Sequence, residues 1–236
     1  MLRKLYSLKQ KIIEKWNVLR QDDNTICIYM FHRVTNQLCS EYADISVSIQ
    51  AFERFIDRKM DEGITFISIE QLEEKKNYMG RKALITFDDM FEDSMLHAVP
   101  ILQKRCVPYT VFVTPGLVDL ENYITSQQLE TLKRDELCTL GGHTQAHSLL
   151  RKVSLKRKQI EISRTVMEDF LGISVNCFAY PYGSIYACDK ESRRLVGQEY
   201  VYGFSTLKFP LTWAYFEKNK DFLPRINVNE GNCETV

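Results

Sequence analysis

Two adjacent carboxylates, Asp88 and Asp89, stand directly after a short apolar run in the segment ALITFDD (83–89). Because like charges at this distance repel, a purely structural site rarely selects such a pair. A bound cation would relieve the repulsion, so the pair indicates a metal site. The alternative is a capping or turn pair at the end of a strand.

Two of the four histidines, His143 and His147, lie four residues apart in GGHTQAH (141–147). On a helix or tight turn this spacing can put two imidazoles on one side, as two ligands of one metal require. Alone, the pair is a weak signal, since similar pairs occur on solvated helix faces. With one carboxylate it gives three protein ligands and leaves positions open for water and substrate. The second carboxylate would then accept a proton from the attacking water.

The composition excludes some classes of protein. The chain has 236 residues, is 44% hydrophobic and carries no net charge, with 31 basic and 31 acidic residues. This balance argues against binding nucleic acid through bulk electrostatics. The seven cysteines include no CxxC pair and their number is odd, which favours a reduced intracellular protein over a disulfide framework.

Residues 1–20 have no apolar core of the kind that a signal peptide needs, because charged residues interrupt them throughout. We therefore expect a cytoplasmic protein. Six basic residues and one Glu accompany an apolar stripe at helical spacing, formed by Leu5, Leu8, Ile12, Trp16 and Leu19. A helix that packs on the domain or on a partner is the ordinary origin of such a stripe. The alternative is peripheral contact of residues 1–20 with an anionic membrane surface, at the inner face of the membrane.

The elements that must position these residues alternate along the chain. Predicted strands cover 25–31, 64–69, 83–87, 109–116, 177–180, 200–206 and 222–228, and predicted helices cover 48–60, 94–105, 126–137, 154–171 and 190–200. Alternation of this kind favours an α/β fold with parallel strands, as a barrel or an open sheet. In such folds functional residues gather where strands end, and His32, Asp88 and Tyr182 each follow a predicted strand.

The segments TFDD (86–89), HTQAH (143–147) and FAYPYG (178–183), in this order, resemble the NodB-homology polysaccharide deacetylases, carbohydrate esterase family four. The resemblance extends from about residue 26 to 228, and FHRV (31–34) is similar to the opening strand of one branch of that family. It implies an irregular (β/α)7-type barrel in a single domain at 23–236, preceded by a basic amphipathic helix at 1–22.

The resemblance also implies an activity, the hydrolytic removal of acetyl groups from an N-acetylated amino sugar in a polysaccharide, oligosaccharide or lipid-linked glycan. Asp88 would be the general base. A divalent metal, most commonly Zn²⁺ with Co²⁺, Ni²⁺ or Mn²⁺ as alternatives, would be held by Asp89, His143 and His147. Pro181 and Tyr182 would line the saccharide groove, with the Tyr182 backbone N–H helping to stabilise the oxyanion.

Three positions depart from the family pattern. Met90 stands where the family usually has glycine, so it either narrows the groove or occupies a turn that does not need glycine. Ala179 stands where many members have an arginine that orients the catalytic aspartate. Arg225 is the candidate replacement, with a surface ion pair as the alternative. At the third position, that of the general acid, members with the commoner motif order have a late histidine, whereas no histidine follows His147 here. His32 is the candidate general acid, with a packed or surface histidine as the alternative.

Two other functions remain open from the sequence. A glycoside hydrolase uses two carboxylates about 5 Å or more apart, which adjacent aspartates do not provide, and it has no need of the histidine pair. A non-catalytic carbohydrate-binding or assembly protein on a deacetylase scaffold is the second possibility, and the departures at Met90 and Ala179 keep it open.

Overall fold

The computed structural model describes residues 2–18 and 24–236, which form seven α-helices and ten β-strands. The helices are α1 Leu2–Val18, α2 Ile49–Asp61, α3 Glu92–Lys104, α4 Ser126–Lys133, α5 Lys156–Leu171, α6 Lys190–Glu199 and α7 Trp213–Phe216. The strands are β1 Ile26–Phe31, β2 Arg33–Thr35, β3 Ser46–Ser48, β4 Thr65–Phe66, β5 Lys82–Phe87, β6 Tyr109–Val113, β7 Cys138–Gly142, β8 Cys177–Ala179, β9 Tyr202–Phe204 and β10 Ile226–Asn227.

Seven parallel strands form the main sheet in the order β10-β1-β5-β6-β7-β8-β9, and the short β4 pairs with the beginning of β5. The segment 223–228 closes this sheet into a ring. Leu223 bridges to Phe204 of β9, and three residues later Ile226 pairs with Tyr29 of β1. The prediction of a single-domain α/β fold of irregular (β/α)7 type is therefore confirmed.

Alternation along β5 explains how Asp88 comes to face the inside of the barrel. Leu84 belongs to the apolar cluster that fills the interior, whereas Ile85 and Phe87 belong to the larger cluster between the strands and the helices. Side chains two residues apart on a strand point to the same side. Asp88 continues the inward series of Leu84 and Thr86, at the carboxyl end of the strand.

The sequence did not predict β7, although this strand carries His143 at its end. Its last two residues, Gly141 and Gly142, weaken the pattern by which a strand is recognised in sequence. The structure requires a small residue there, because a Cβ on Gly141 would lie 2.6 Å from the ring of Phe112. Packing inside the barrel thus requires glycine at a position where glycine makes the strand difficult to predict.

Two predicted helices differ in detail from the observed ones. Helix α4 ends at Lys133 rather than at 137, and its N-cap is Thr125, whose hydroxyl accepts from the Gln128 N–H. The helical spacing of Leu155, Ile162, Val166 and Phe170 predicts that they share one face of the helix at 154–171. In the structure these four residues are exposed, while Ile160, Ser163, Met167 and Leu171 of α5 are buried.

Helix α1 contacts the domain through the side opposite its apolar stripe. The side chains of Leu5, Leu8 and Ile12 are between 57% and 62% exposed. The ring of Tyr6 instead packs against Tyr186 of the domain. The stripe therefore does not pack on this domain, and its packing on a partner stays a prediction. Residues 19–23, which include Leu19 and the end of the predicted helix, lie outside the described residues, as does Met1. None of the described helices has the length and apolar character needed to cross a membrane.

Candidate active site

The structure brings Asp89, His143 and His147 together in a group that we call the ligand triad. Oδ1 of Asp89 lies 3.6 Å from Nε2 of His143 and 3.4 Å from Nε2 of His147. One ligand atom from each residue lies within 4.8 Å of the others. A tetrahedral site with metal–ligand bonds of about 2.0–2.1 Å separates its ligand atoms by about 3.3 Å, so this spacing suits one divalent cation. Oδ1 of Asp89 is buried and has no hydrogen-bond partner among the described residues, as expected for an atom reserved for a cation.

His143 is fixed on both sides. Its backbone N–H continues the ladder of β7 by donating to the carbonyl of Val113, at 2.9 Å. Its Nδ1 lies 2.8 Å from the carbonyl oxygen of Ala179. A carbonyl can only accept, so Nδ1 carries the proton and Nε2 offers its lone pair toward Asp89. This contact could not be predicted from the sequence, because a main-chain acceptor is independent of residue type.

His147 reaches the triad from a turn, not from a helix. Its φ is +48°, and the preceding Thr144 also has a positive φ, of +61°. The Thr144 hydroxyl accepts from the backbone N–H of Ser148 at 3.0 Å, and the carbonyl of Gln145 accepts from Gly116 at 2.9 Å. This turn folds the chain back so that residues four apart face the same ion.

Burial sets the protonation states of the three residues of the ligand triad. It lowers the pKa of His143 to about 3 and also lowers the pKa of His147, so both imidazoles are neutral at neutral pH. Burial, together with the charge of Asp88, raises the pKa of Asp89 to about 6. Neutral imidazoles and a carboxylate that is costly to ionise without a counter-charge are the donor set that a divalent cation stabilises.

Asp88 forms a second group with Arg225, which we call the buried ion pair. Nη1 of Arg225 lies 2.6 Å from Oδ1 of Asp88, and Nη2 lies 2.8 Å from Oδ2. The guanidinium also donates through Nε to the carbonyl of Ser205, at 3.0 Å, and through Nη1 to the hydroxyl of Thr86, at 3.3 Å. Arg225 is fully buried, 5.4 Å from the centre of the Phe112 ring. The predicted pairing of Arg225 with Asp88 is present, and because Arg225 is fully buried, the alternative of a surface ion pair is wrong.

The buried ion pair sets the charge of Asp88. Burial alone would raise its pKa, but the charge of Arg225 and its two hydrogen bonds hold the pKa well below the ordinary value. Asp88 is therefore a fixed carboxylate at any physiological pH. Both of its oxygens keep a further lone pair, so the carboxylate can still accept a proton from a water molecule beside the triad.

His32 follows β1 and lies in the same end of the barrel. The charges of Asp88 and Asp89 act to raise its pKa, but burial is the larger effect and the pKa is lowered. Its Nδ1 is buried and has no hydrogen-bond partner among the described residues. His32 is thus a neutral imidazole beside both aspartates, with one ring nitrogen uncommitted.

Tyr182 forms part of the rim of the site. Its ring lies 5.0 Å from the ring of His147, and its side chain is 61% exposed. Its φ is +62°, and its backbone N–H has no hydrogen-bond acceptor within the described residues. Pro181, which precedes it, is buried, as Asp88 and His143 are, and its predicted contact with the substrate stays a prediction.

Met90 occupies a different place from the predicted one. Its side chain is fully buried in the larger apolar cluster, so it neither narrows the groove nor contacts a saccharide. Its φ is +46° and follows the +64° of Asp89. The backbone therefore adopts the left-handed conformation that glycine favours, with a methionine in it. Met90 no longer favours a non-catalytic protein. Nor does Ala179, because Arg225 already binds Asp88.

A parallel β/α barrel whose carboxyl edge joins a ligand triad to a fixed carboxylate has the arrangement that metal-assisted hydrolysis requires. The sequence model of the polysaccharide deacetylase family matches residues 75–201, more than half of the chain, and the chain belongs to this family. The predicted resemblance is confirmed. So is the predicted enzyme class, a hydrolase acting on carbon–nitrogen bonds other than peptide bonds.

Individual relatives agree with the family. A poly-β-1,6-N-acetyl-D-glucosamine N-deacetylase of Staphylococcus aureus (strain MRSA252) is 24% identical over 245 residues, covering 92% of this chain and 83% of the relative. The solved structure of the deacetylase PplD of Streptococcus pyogenes superposes with a TM-score of 0.77, at 23% identity, over 88% of this chain and 94% of that one. IcaB of Ammonifex degensii gives a TM-score of 0.75, at 22% identity, over 91% and 95%. The structural matches establish the shared fold.

Proposed function

We propose that this protein hydrolyses the acetamide of an N-acetylated amino sugar within a glycan and releases acetate. The observation that carries the proposal is the direct adjacency of the ligand triad and the buried ion pair through Asp88 and Asp89. N-acetylglucosamine is the first candidate sugar, because the staphylococcal relative is named a poly-β-1,6-N-acetyl-D-glucosamine N-deacetylase. Membership of the family supports a polysaccharide substrate.

The proposal includes a divalent metal held by Asp89, His143 and His147, with Zn²⁺ first and Co²⁺, Ni²⁺ and Mn²⁺ as alternatives. Two imidazoles and one carboxylate suit Zn²⁺, and three ligands leave positions open for water and substrate. When bound, the cation would polarise the acetyl carbonyl and make a nearby water more acidic. The carbonyl of Ala179 would hold the His143 ring in the ligand orientation.

Asp88 acts as the general base. Arg225 keeps its carboxylate ionised and fixed in orientation, so it can take a proton from the attacking water without first losing one. The low pKa makes Asp88 a weak base, which keeps the proton only briefly. His32 is neutral because burial lowers its pKa, so it would take this proton from Asp88 and donate it to the departing amine. The proton lost by the water would thus end on the amine.

The rim supplies the remaining contacts. The backbone N–H of Tyr182 is available to donate to the oxygen of the acetyl group as negative charge develops there. Its exposed ring offers a flat apolar surface against which a sugar ring can pack.

One assay tests the proposal. The purified protein is loaded separately with Zn²⁺, Co²⁺, Ni²⁺ or Mn²⁺, and acetate release is measured from N-acetylglucosamine oligomers and from lipid-linked N-acetylated sugars. We expect release from at least one of these substrates, loss of release with a chelator, and recovery when metal is returned. Binding of the acetylated saccharide without acetate release, with every metal, would instead identify a carbohydrate-binding protein.

The proposal also includes a cytoplasmic location at the inner face of the membrane, with residues 1–20 as the contact. All seven cysteines, which lie within the described residues, are unpaired, and this supports a reducing compartment. Cell fractionation tests this part. Recovery of the protein from the extracellular fraction would contradict it.

A further inference from the structure

Helix α1 separates its side chains into two unlike faces. Toward the domain lie the Tyr6 ring, Ile13, which packs against the larger apolar cluster, and two polar contacts. Gln10 accepts from the backbone N–H of Ile185 at 3.2 Å, and Glu14 accepts from that of Lys208 at 3.1 Å. Toward solvent lie Leu2, Leu5, Leu8, Ile12 and Trp16, each more than half exposed. The larger set of apolar side chains on this helix thus faces away from the domain, whereas an ordinary surface helix packs that set inward. Burial of the stripe therefore requires a partner outside this domain.

The charges on α1 indicate the chemistry of that partner. Within Leu2–Val18 the basic residues are Arg3, Lys4, Lys9, Lys11 and Lys15, and all five are exposed. The only acidic residue, Glu14, is half-buried and faces the domain. The solvent face of the helix is thus apolar with a purely positive border. Two copies of such a face would repel each other, whereas an anionic lipid surface would satisfy both the apolar and the charged side chains.

Helix α1 is also attached to the rim of the active site. Tyr6 packs on Tyr186, with ring centres 6.0 Å apart, and the guanidinium of Arg151 lies 4.6 Å from the Tyr6 ring and 5.1 Å from the Tyr186 ring. Together with Gln10, these contacts bind α1 to residues 185–186, three and four positions after Tyr182. The helix is therefore packed directly against the segment that follows the rim residue Tyr182.

We infer that the outer face of α1 binds an anionic phospholipid bilayer and thereby holds the rim of the active site beside the lipid surface. The class of substrate that this arrangement favours is an N-acetylated saccharide displayed at the bilayer, rather than one free in solution. This second statement rests on the proposed deacetylase function, but the binding of the bilayer does not.

The first experiment measures lipid binding by co-sedimentation of the full chain with vesicles. We expect binding to vesicles of equal parts phosphatidylglycerol and phosphatidylcholine, and much weaker binding to phosphatidylcholine alone. The triple variant Leu5→Ser, Leu8→Ser, Ile12→Ser removes the apolar contact, and the triple variant Lys4→Glu, Lys11→Glu, Lys15→Glu reverses the charge. Each should weaken binding by about tenfold or more. Full-strength binding by both variants, or no binding by the wild type, would overturn the inference.

Helix α5 offers a matched control. Its outer residues Ile162, Val166 and Phe170 are between 40% and 47% exposed, but acidic residues such as Glu161 are interspersed with its basic ones. The triple serine variant at these positions should bind anionic vesicles as the wild type does. An equal loss in the α5 variant would show that general surface apolarity, and not the α1 face, carries the binding.

The second experiment compares acetate release from a soluble N-acetylglucosamine oligomer and from the same sugar attached to a lipid in anionic vesicles. The apolar α1 variant should match the wild type on the soluble sugar, because none of its changes touches the site. On the lipid-attached sugar the variant should release acetate about tenfold or more slowly than the wild type. The reason is that binding to the vesicle raises the effective concentration of the wild-type protein beside its substrate. Equal rates on the lipid-attached sugar would overturn the link between α1 and the substrate. Vesicle binding with no acetate release from any sugar would leave the bilayer contact standing and reject the deacetylase.

Discussion

The buried ion pair contains Asp88 and the ligand triad contains Asp89, and the pKa values of these adjacent aspartates are shifted in opposite directions. Asp88 has both oxygens bound by Arg225, and its pKa lies well below the ordinary value. Asp89, the next residue, has an orphaned oxygen, and its pKa is raised to about 6. The left-handed backbone at Asp89 turns the second side chain away from the first, so one carboxylate meets an arginine and the other meets two neutral imidazoles.

This difference identifies which charge the fold supplies and which it leaves to a ligand. The counter-charge of Asp88 is built into the chain, and Asp88 is stable as an anion without any cofactor. The counter-charge of Asp89 is missing from the chain, so the metal-free fold carries a cost that a cation would remove. Exchanging either aspartate for asparagine should therefore change stability in opposite directions.

The largest effect is expected for Asp88→Asn. It removes the base, and acetate release should fall by about a hundred- to ten-thousand-fold. It also leaves the buried Arg225 without a counter-charge, which should lower the free energy of unfolding by about 3–5 kcal/mol. Activity at saturating metal and urea unfolding measure the two effects. Wild-type acetate release by this variant would refute the role assigned to Asp88.

A second variant separates catalysis from folding. Asp88→Asn combined with Arg225→Met removes both charges of the buried ion pair, so part of the lost stability should return. Activity should not return, since no base is present. If activity and stability recovered together, Asp88 would act only by maintaining the fold.

Asp89→Asn tests the other side of the comparison. It replaces the one charged metal ligand by a neutral amide. Metal affinity, measured by calorimetry, should therefore fall by more than about a hundredfold. Without metal the variant should be more stable than the wild type at pH 7 by about 1–3 kcal/mol, because it abolishes the cost of ionising a carboxyl whose pKa is raised from 3.8 to about 6. A loss of metal-free stability comparable with that of Asp88→Asn would erase the distinction between the two aspartates.

The pH dependence sharpens the same contrast. The metal-free folded chain keeps a proton on Asp89 up to a pH of about 6, whereas an ordinary Asp loses it near 3.8, so its metal-free stability should decline as pH rises between these values. A cation must displace this proton. Its affinity should therefore fall about tenfold for each pH unit below about 6 and change little above about 7. Calorimetry in buffers of different ionisation enthalpy would detect about one proton released per metal ion at pH 5.

Asp88→Asn supplies the control for this measurement. The charge of Asp88 is one cause of the raised pKa of Asp89, so its removal should lower that pKa and move the pH midpoint of metal binding downward. An unchanged midpoint would mean that burial alone sets the pKa of Asp89.

Several of these features could be predicted from the sequence because they depend on residue type and period. Alternation of strands and helices indicated the barrel, and the spacing of His143 and His147 indicated two ligands. The position of polar residues after apolar runs placed His32 and Asp88 at the same edge. In each case local sequence and tertiary structure impose the same pattern.

Other features depended on contacts that no local pattern records. Arg225 lies 137 residues from Asp88 in sequence, and the family resemblance, not any local pattern, pointed to it. Strand β7 ends in two glycines that the barrel interior requires. Because glycine has no side chain, these residues do not show the apolar pattern from which a strand is predicted. The outward apolar face of α1 could not be predicted either, because periodicity identifies a face without saying what lies opposite it.

Met90→Gly should give the smallest effect, because Met90 belongs to neither the ligand triad nor the buried ion pair. Glycine would remove the strain of a left-handed backbone, which costs about 1–3 kcal/mol. It would also remove a buried methionine side chain, whose loss costs about 2–5 kcal/mol. We therefore expect a net loss of about 1–2 kcal/mol, with metal affinity and acetate release nearly unchanged. Met90→Ala loses almost the same buried volume without relief of the backbone, so it should be the less stable of the two variants by about 1 kcal/mol. The opposite order in urea unfolding would mean that the φ of +46° at Met90 carries no strain, and that the methionine is selected for packing alone.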